Sequence, residues 1–271
     1  MTRMIAFFLC LTMAGLSAGP ALARAFIIVQ STTSTQNSGL YDAILPQFTA
    51  ASNIEVRVVA VGTGQAIKNA KNCDGDVLLV HAKASEEDFV AAGYGLTRSD
   101  VMYNDFVIVG PQNDPAGIAG STDATTALQM IAAKGSVFAS RGDDSGTHKK
   151  ELSLWNKAGI DAVAASGGWY RETGSGMGAT LNVSVGMDAY VMTDRATWIA
   201  FGNKVNHRIL VEGDPALFNQ YGIIDINPAR CPNVKTEMAS KFINWILSSQ
   251  GQSAIAAYRK KGQQLFFPNA H

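Results

Sequence analysis

The run Arg141-Gly142-Asp143-Asp144-Ser145-Gly146-Thr147-His148 puts a guanidinium, two carboxylates, two hydroxyls and an imidazole within eight positions. Two chemistries could use them. Ser145 with His148 and an aspartate has the residue types of a serine hydrolase, where a base takes the hydroxyl proton and an acid orients the base. Arg141 with Ser145-Gly146-Thr147 at a helix start has those of an anion site. The first N–H groups of a helix lack intrahelical partners, the peptide dipoles favour negative charge there, and a guanidinium adds a fork of charge-assisted hydrogen bonds. The hydrolase is the weaker reading. His148 sits three residues along the same helix, tied by the backbone, and no G-x-S-x-G elbow surrounds Ser145. The only other histidines are His81, His207 and His271, and His148 reads as a solvated helix-surface residue. No His, Cys or carboxylate cluster has metal-ligand spacing, so neither a metal nor a cofactor is expected. The Arg-Gly-Asp tripeptide reads as coincidence.

Two more loops share the pattern. Ser31-Thr32-Thr33-Ser34-Thr35 follows FIIVQ and precedes a helix, and Gly62-Thr63-Gly64-Gln65 again joins strand to helix. Alone, the first is a helix cap and the second a turn. The second lacks the third glycine of a dinucleotide fingerprint and the Lys-Ser/Thr of a phosphate loop. Three hydroxyl-rich strand–helix junctions in one chain, one with an arginine, suit a small ligand that only accepts hydrogen bonds: a tetrahedral oxyanion.

The elements that must position these loops alternate. FIIVQ (26–30), IEVRVVAVG (54–62), DVLLVHA (76–82) and YNDFVIVGP (103–111) read as strands. Leu40, Ile44, Leu45 and Phe48 fall at helical spacing; GQAIKNA and SEEDFVAAG read as short helices. This order predicts parallel sheets with helices on both faces, and ligands beyond the strand ends. After the turn Asp114-Pro115-Ala116-Gly117 come a helix (122–134), the strand VFAS and a helix through Trp155. YVMTDRATWIAF and RILVEGD read as strands, YGIIDINP carries the chain back, and amphipathic segments from Thr236 to Arg259 close it. The expected fold is α/β and two-lobed with a cleft between the lobes. Residues 26–112 plus 223–271 would form lobe 1, and 113–222 lobe 2.

Arg3 followed by the apolar run Ile5–Leu16 and the A-x-A patterns ending at Ala23 and Ala25 mark residues 1–25 as a secretory signal peptide. Cleavage after Ala25 removes Arg3 and Arg24, leaving 20 of 22 basic groups against 22 acidic ones. A balance near −2 argues against nucleic acid, and an anion site must draw its field from local geometry. Cys73 and Cys231 would be the only mature cysteines. An oxidising compartment suggests a disulfide, with two buried free thiols as the alternative.

Together STTSTQNSGLYDAILPQF, IEVRVVAVGTGQAI, DVLLVHA, FASRGDDSGTHKKELSLW and GWYRETGSGMGATLN closely resemble the periplasmic tungstate-binding proteins of ABC importers. The likeness continues through YVMTDRATW and INP. The hydroxyl loop, T-T-T-S in that family, reads Ser31-Thr32-Thr33-Ser34 here, which hardly changes donor chemistry. The R-x-x-x-S-G-T loop also resembles that of periplasmic phosphate-binding proteins, which share the two-lobed type II fold. The resemblance implies that Thr33, Ser34, Thr63, Arg141, Ser145 and Thr147 line the site, that Gly146 offers a backbone N–H, and that Thr180 completes the shell. It implies a periplasmic, non-enzymatic, monomeric solute-binding protein that hands tungstate to an inner-membrane permease. Relatives often carry another residue in place of Cys73, so the resemblance itself does not supply a disulfide there. Molybdate, vanadate and phosphate are the rival ligands, and a secreted hydrolase using Ser145 the rival of another class. Phosphate carries protons near neutrality and gains from a carboxylate acceptor, whereas tungstate and molybdate are fully ionised. The strand end Leu79-Val80-His81-Ala82 has no carboxylate, which ranks phosphate lower.

Overall fold

Alternating apolar residues make Phe26–Thr32 the strand β1, with Ile27 and Val29 buried. The computed structural model describes residues 24–270, so the signal-peptide expectation, all but its last two residues, lies outside the described residues. The chain continues through α1 (Thr33–Ser38), α2 (Leu40–Ser52), β2 (Glu55–Val61), α3 (Thr63–Lys71), β3 (Val77–Val80), α4 (Lys83–Ala91) and the long strand β4 (Gly95–Pro111). Next come α5 (Ala124–Ala133), β5 (Phe138–Ser140), α6 (Gly146–Lys157), β6 (Tyr170–Glu172), α7 (Met177–Gly186), β7 (Val191–Asp194), α8 (Arg195–Ala200) and β8 (His207–Val211). Then β9 (Phe218–Ile226) leads to α9 (Thr236–Leu247) and α10 (Ser249–Ala257).

The protein has the two-lobed type II fold, but its sheet is mixed, not parallel as the element order predicts. β1 pairs in parallel with β2 and β3, whereas β9 lies antiparallel to both β3 and β4. The reason is connectivity. β4 carries the chain out of the first core and β9 brings it back alongside, so the two must run in opposite directions. β4 is also longer than its apolar half suggests, because the polar run Thr97-Arg98-Ser99-Asp100 pairs with β9 across two irregularities in register. Its partners change partway: Asp105 faces Phe218 of β9, whereas Phe106 onward pairs with β7 and β8. A second difference concerns YVMTDRATWIAF. The strand ends at Asp194, whose carboxylate accepts from Thr197 N at 2.8 Å and starts α8. Apolar residues satisfy both periods in so short a run, and the cap decides.

The cores follow the faces of β1, β3 and β4. Ile27, Val29 and Leu79 pack with Leu40, Ile44 and Phe48 of α2 and Phe242 of α9, where the Phe48 and Phe242 rings meet edge-on at 5.2 Å. Leu78 and Val80 face the other way, onto Ala66, Ile67 and Phe89. Farther along β4 lie two more cores: Phe106 and Ile108 join Leu128, Phe138 and Trp155, and the alternate residues Val107 and Val109 join Leu181, Val191 and Trp198. A disulfide joins Cys73, after α3, to Cys231, before α9, with Cα atoms 5.3 Å apart.

Candidate oxyanion site

The three hydroxyl-rich junctions open α1, α3 and α6, and two of them meet. Gly146 N donates to Thr63 Oγ1 at 2.9 Å, and Gly64 N to Asp144 O at 3.3 Å, so the α3 and α6 starts touch across the cleft. The approach leaves no space. A Cβ on Gly146 would lie 2.8 Å from His81 Cε1 and 2.9 Å from Thr63 Oγ1, and one on Gly64 would overlap the Asp144 carboxylate. Because the Gly146 N–H is spent on Thr63, its effect on a ligand runs through the Thr63 hydroxyl.

The loop before α6 is shaped by two left-handed residues, Gly142 (φ 58°) and Asp144 (φ 57°), the latter a residue type that tolerates this region. Arg141 is only 3% exposed, with Nη2 on Asp143 Oδ2 at 2.5 Å and Nε on Ser175 O at 3.3 Å. Asp143 Oδ1 also accepts from Ser145 N. Asp143 therefore anchors the guanidinium and the loop. Ser145 caps α6 by accepting from His148 N at 3.1 Å, which leaves its own proton to donate. The His148 ring turns to Asp144 N, and among the described residues no imidazole nitrogen is hydrogen-bonded to Ser145 Oγ. Thr33 Oγ1 and Thr147 Oγ1 are buried and, among the described residues, have no hydrogen-bond partner. Orphaned buried hydroxyls are unfavourable unless something occupies the space they face. Thr33 Oγ1 faces the start of α7, 3.9 Å from where a Cβ on Gly176 would sit.

Thr180 stands apart from this group. Its hydroxyl bonds to Thr173 Oγ1 at 2.8 Å and lies 3.2 Å from the Ser175 and Gly176 carbonyls, bracing the turn that also receives Arg141 Nε.

Three residues at the site carry no signal in the sequence. His81 ends the β3 segment, with Nε2 3.1 Å from Ser34 Oγ and Nδ1 3.1 Å from Asn219 Oδ1. Burial and the charge on Arg141 push the ring down to about 4, so it is neutral near pH 7. A lone histidine in LLVHA gives no hint of this role. Asn219 stands on β9, distant in sequence from every junction. Asp194 is buried, which raises its carboxyl, while Thr197 and, less, Arg141 pull it back down; one carboxylate oxygen has no hydrogen-bond partner among the described residues. Beside the site a cleft of ≈ 520 Å³ is lined by His81, Phe106, Gly146 and Asn219 together with Lys149 and Lys150.

Residues 18–250 match the model of the PBP superfamily domain. The chain is 50% identical over 252 residues to the tungstate-binding protein TupA of Peptoclostridium acidaminophilum, covering 92% of this chain and 87% of that one. The chain belongs to the tungstate-binding protein family of the PBP superfamily. Solved structures of the family agree. The tungstate-binding protein TupA from Desulfovibrio alaskensis G20 superposes with a TM-score of 0.77 at 49% identity, over 91% of this chain and 100% of that one. The tungstate ABC transporter structure from Geobacter sulfurreducens gives 0.78 at 49% identity, over 86% and 98%. These relatives are named as tungstate-binding proteins.

Proposed function

We propose that this protein is exported to the periplasm, captures tungstate between its lobes and delivers it to the membrane permease of an ABC importer, without catalysis and as a monomer. The observation that carries the reading is the pair of buried hydroxyls on Thr33 and Thr147, at the starts of α1 and α6, that have no hydrogen-bond partner among the described residues. Thr33, Ser34, Thr63, Ser145 and Thr147 serve as neutral donors and Arg141 as the charged one. Gly146 holds Thr63, and Thr180 holds the turn behind Arg141. The lobes are 26–112 plus 223–271 and 113–222, joined along β4 and β9, and they hinge shut about the anion. Names of the 50%-identical relative and the two structures support tungstate as the ligand.

Molybdate is the nearest rival, since the two anions match in charge and shape. One observation favours a second reading, a proton-bearing oxyanion such as phosphate: the Asp194 carboxyl is buried within reach of the Arg141 charge, and one of its oxygens, without a hydrogen-bond partner among the described residues, could accept a ligand proton. Calorimetric titration of the apo protein with tungstate, molybdate, vanadate, sulfate and phosphate tests both. Tight binding of tungstate with none of phosphate is expected. Binding of phosphate alone would overturn the proposal, and an esterase activity lost in Ser145→Ala would replace it with the hydrolase.

A further inference from the structure

Ser34 can donate to a ligand only if its single proton is free, and a chain of buried polar groups governs that proton. His81 Nε2 lies 3.1 Å from Ser34 Oγ, His81 Nδ1 3.1 Å from Asn219 Oδ1, and Asn219 Nδ2 2.6 Å from Asn104 Oδ1. His81 is 5% exposed, and Asn104 and Asn219 are 2% exposed. The imidazole packs on Tyr221 with centroids 4.8 Å apart, so it cannot swing aside. Being neutral, it carries one N–H. With the carboxamides as placed, that proton sits on Nδ1 and is donated to Asn219. The bare Nε2 then accepts the Ser34 proton. Ser34 would turn lone pairs toward the ligand space, which repels an oxyanion. The same arrangement leaves Asn104 Nδ2 buried without a partner among the described residues.

Turning over both carboxamides keeps the chain's heavy-atom contacts and reverses every donor. Asn104 Nδ2 then donates to Asn219 Oδ1, Asn219 Nδ2 donates to His81 Nδ1, and His81 Nε2–H donates to Ser34 Oγ. The Ser34 proton is then free of His81, to go to the ligand or to Thr32 Oγ1 at 3.2 Å, and Asn104 Nδ2 gains a partner while Oδ1 takes its former place. We propose that the Asn104–Asn219–His81 chain decides whether Ser34 accepts or donates, and that the Nε2–H tautomer of His81 is the oxyanion-binding form. His81 is thus a positioning residue, and this role rests on the ligand reading above. No net proton is taken up or released in the switch. Asn104 and Asn219 are register partners on β4 and β9, the strands that join the lobes, so the chain links the interlobe crossing to the ligand loop.

Nitrogen-15 NMR of histidine-labelled protein at neutral pH, with and without tungstate, reads the tautomer directly. The complex should show His81 neutral, with Nε2 protonated and Nδ1 bare. An Nδ1–H tautomer in the complex, or a ring protonated on both nitrogens, would overturn the proposal. Two variants separate positioning from packing. His81→Gln places an amide N–H near the Nε2 position and should bind tungstate within about threefold of wild type. His81→Asn reaches only the Nδ1 position and should bind about tenfold more weakly. Equal losses in the two would reduce His81 to a packing residue. A wild type that shows no tungstate binding sinks the ligand reading itself, whereas one that binds with the Nδ1–H tautomer sinks only the relay.

Discussion

Arg141 brings a full charge to a position 3% exposed and keeps one of its two terminal nitrogens on Asp143. Thr147 brings a neutral hydroxyl beside it. Breaking a desolvated charge contact costs about 3–5 kcal/mol, against about 0.5–1.5 kcal/mol for a neutral hydrogen bond. Each 1.4 kcal/mol is about tenfold in affinity. Calorimetry should find tungstate binding weaker by roughly two to three decades in Arg141→Ala, by about one in Thr147→Val, and by an intermediate amount in Arg141→Lys, which keeps charge but loses the fork. pH separates the donors from His81. With the ring at about 4, tungstate affinity should be flat across about pH 6–9. Stability behaves differently. The folded ring lies below its ordinary 6.5, so the unfolded chain binds the extra proton between the two values. Its contribution, on the order of 3 kcal/mol, is complete above about pH 6.5 and lost as pH falls toward 4. Urea melts over that window should be flatter in His81→Gln than in wild type.

At the scale of elements, the contact between the starts of α3 and α6 is what closes the cleft. Gly146→Ala would press a methyl within 3 Å of His81 and Thr63, both of them buried. Overpacking of this sort costs about 1–3 kcal/mol, so tungstate should bind one to two decades more weakly. Small-angle scattering should show less compaction on adding the ligand. Wild-type affinity in this variant would mean that the lobes need not touch there. Helix α6 is also braced from behind: Glu151, fully buried, accepts from Tyr170 Oη at 2.7 Å and Trp155 Nε1 at 3.3 Å. Burial pushes its carboxyl up to about 8, above the unfolded value of 4.5. Its contribution to stability is therefore complete below about pH 4.5 and declines as pH rises through 8. Glu151→Gln keeps an acceptor and removes the titration. Its melting temperature should fall less between pH 6 and 9 than that of wild type, and parallel curves would contradict this account.

For the whole molecule, the Cys73–Cys231 disulfide spans 158 residues and joins the early and late segments of the first core, with the entire second lobe between them. Closing so long a loop limits the unfolded chain strongly, by about 4–5 kcal/mol in the chain-entropy account. Denatured, unreduced protein should show no free thiol with Ellman's reagent. The Cys73→Ser/Cys231→Ser variant should lose roughly 2–5 kcal/mol in urea melts while keeping its tungstate affinity, because the crosslink lies at the far end of α3 from Thr63. With 22 basic and 22 acidic groups the chain has no net field to attract an anion. Lys150 at the adjoining cleft supplies a local one, whereas Lys149 is paired with Asp144.

The strand–helix alternation, the three hydroxyl junctions and Arg141 were legible in the chain itself, since each is a local pattern: periodicity of apolar residues, and donors beside a helix start. The family likeness rested on the same stretches. Tertiary structure alone decided the rest. The antiparallel insertion of β9 depends on where the chain must return, which no local period encodes. The break at Asp194 hung on one side-chain cap within an apolar run. His81, Asn104, Asn219 and Asp194 lie far apart in sequence and look like ordinary strand residues there. Only the pairing of β3 with β9 and β9 with β4, and of β7 with β4, brings these strand positions together, where burial lowers the His81 ring and raises the Asp194 carboxyl. A lone polar residue in a strand acquires chemistry from the partners that folding puts beside it, and those partners are a property of the sheet order.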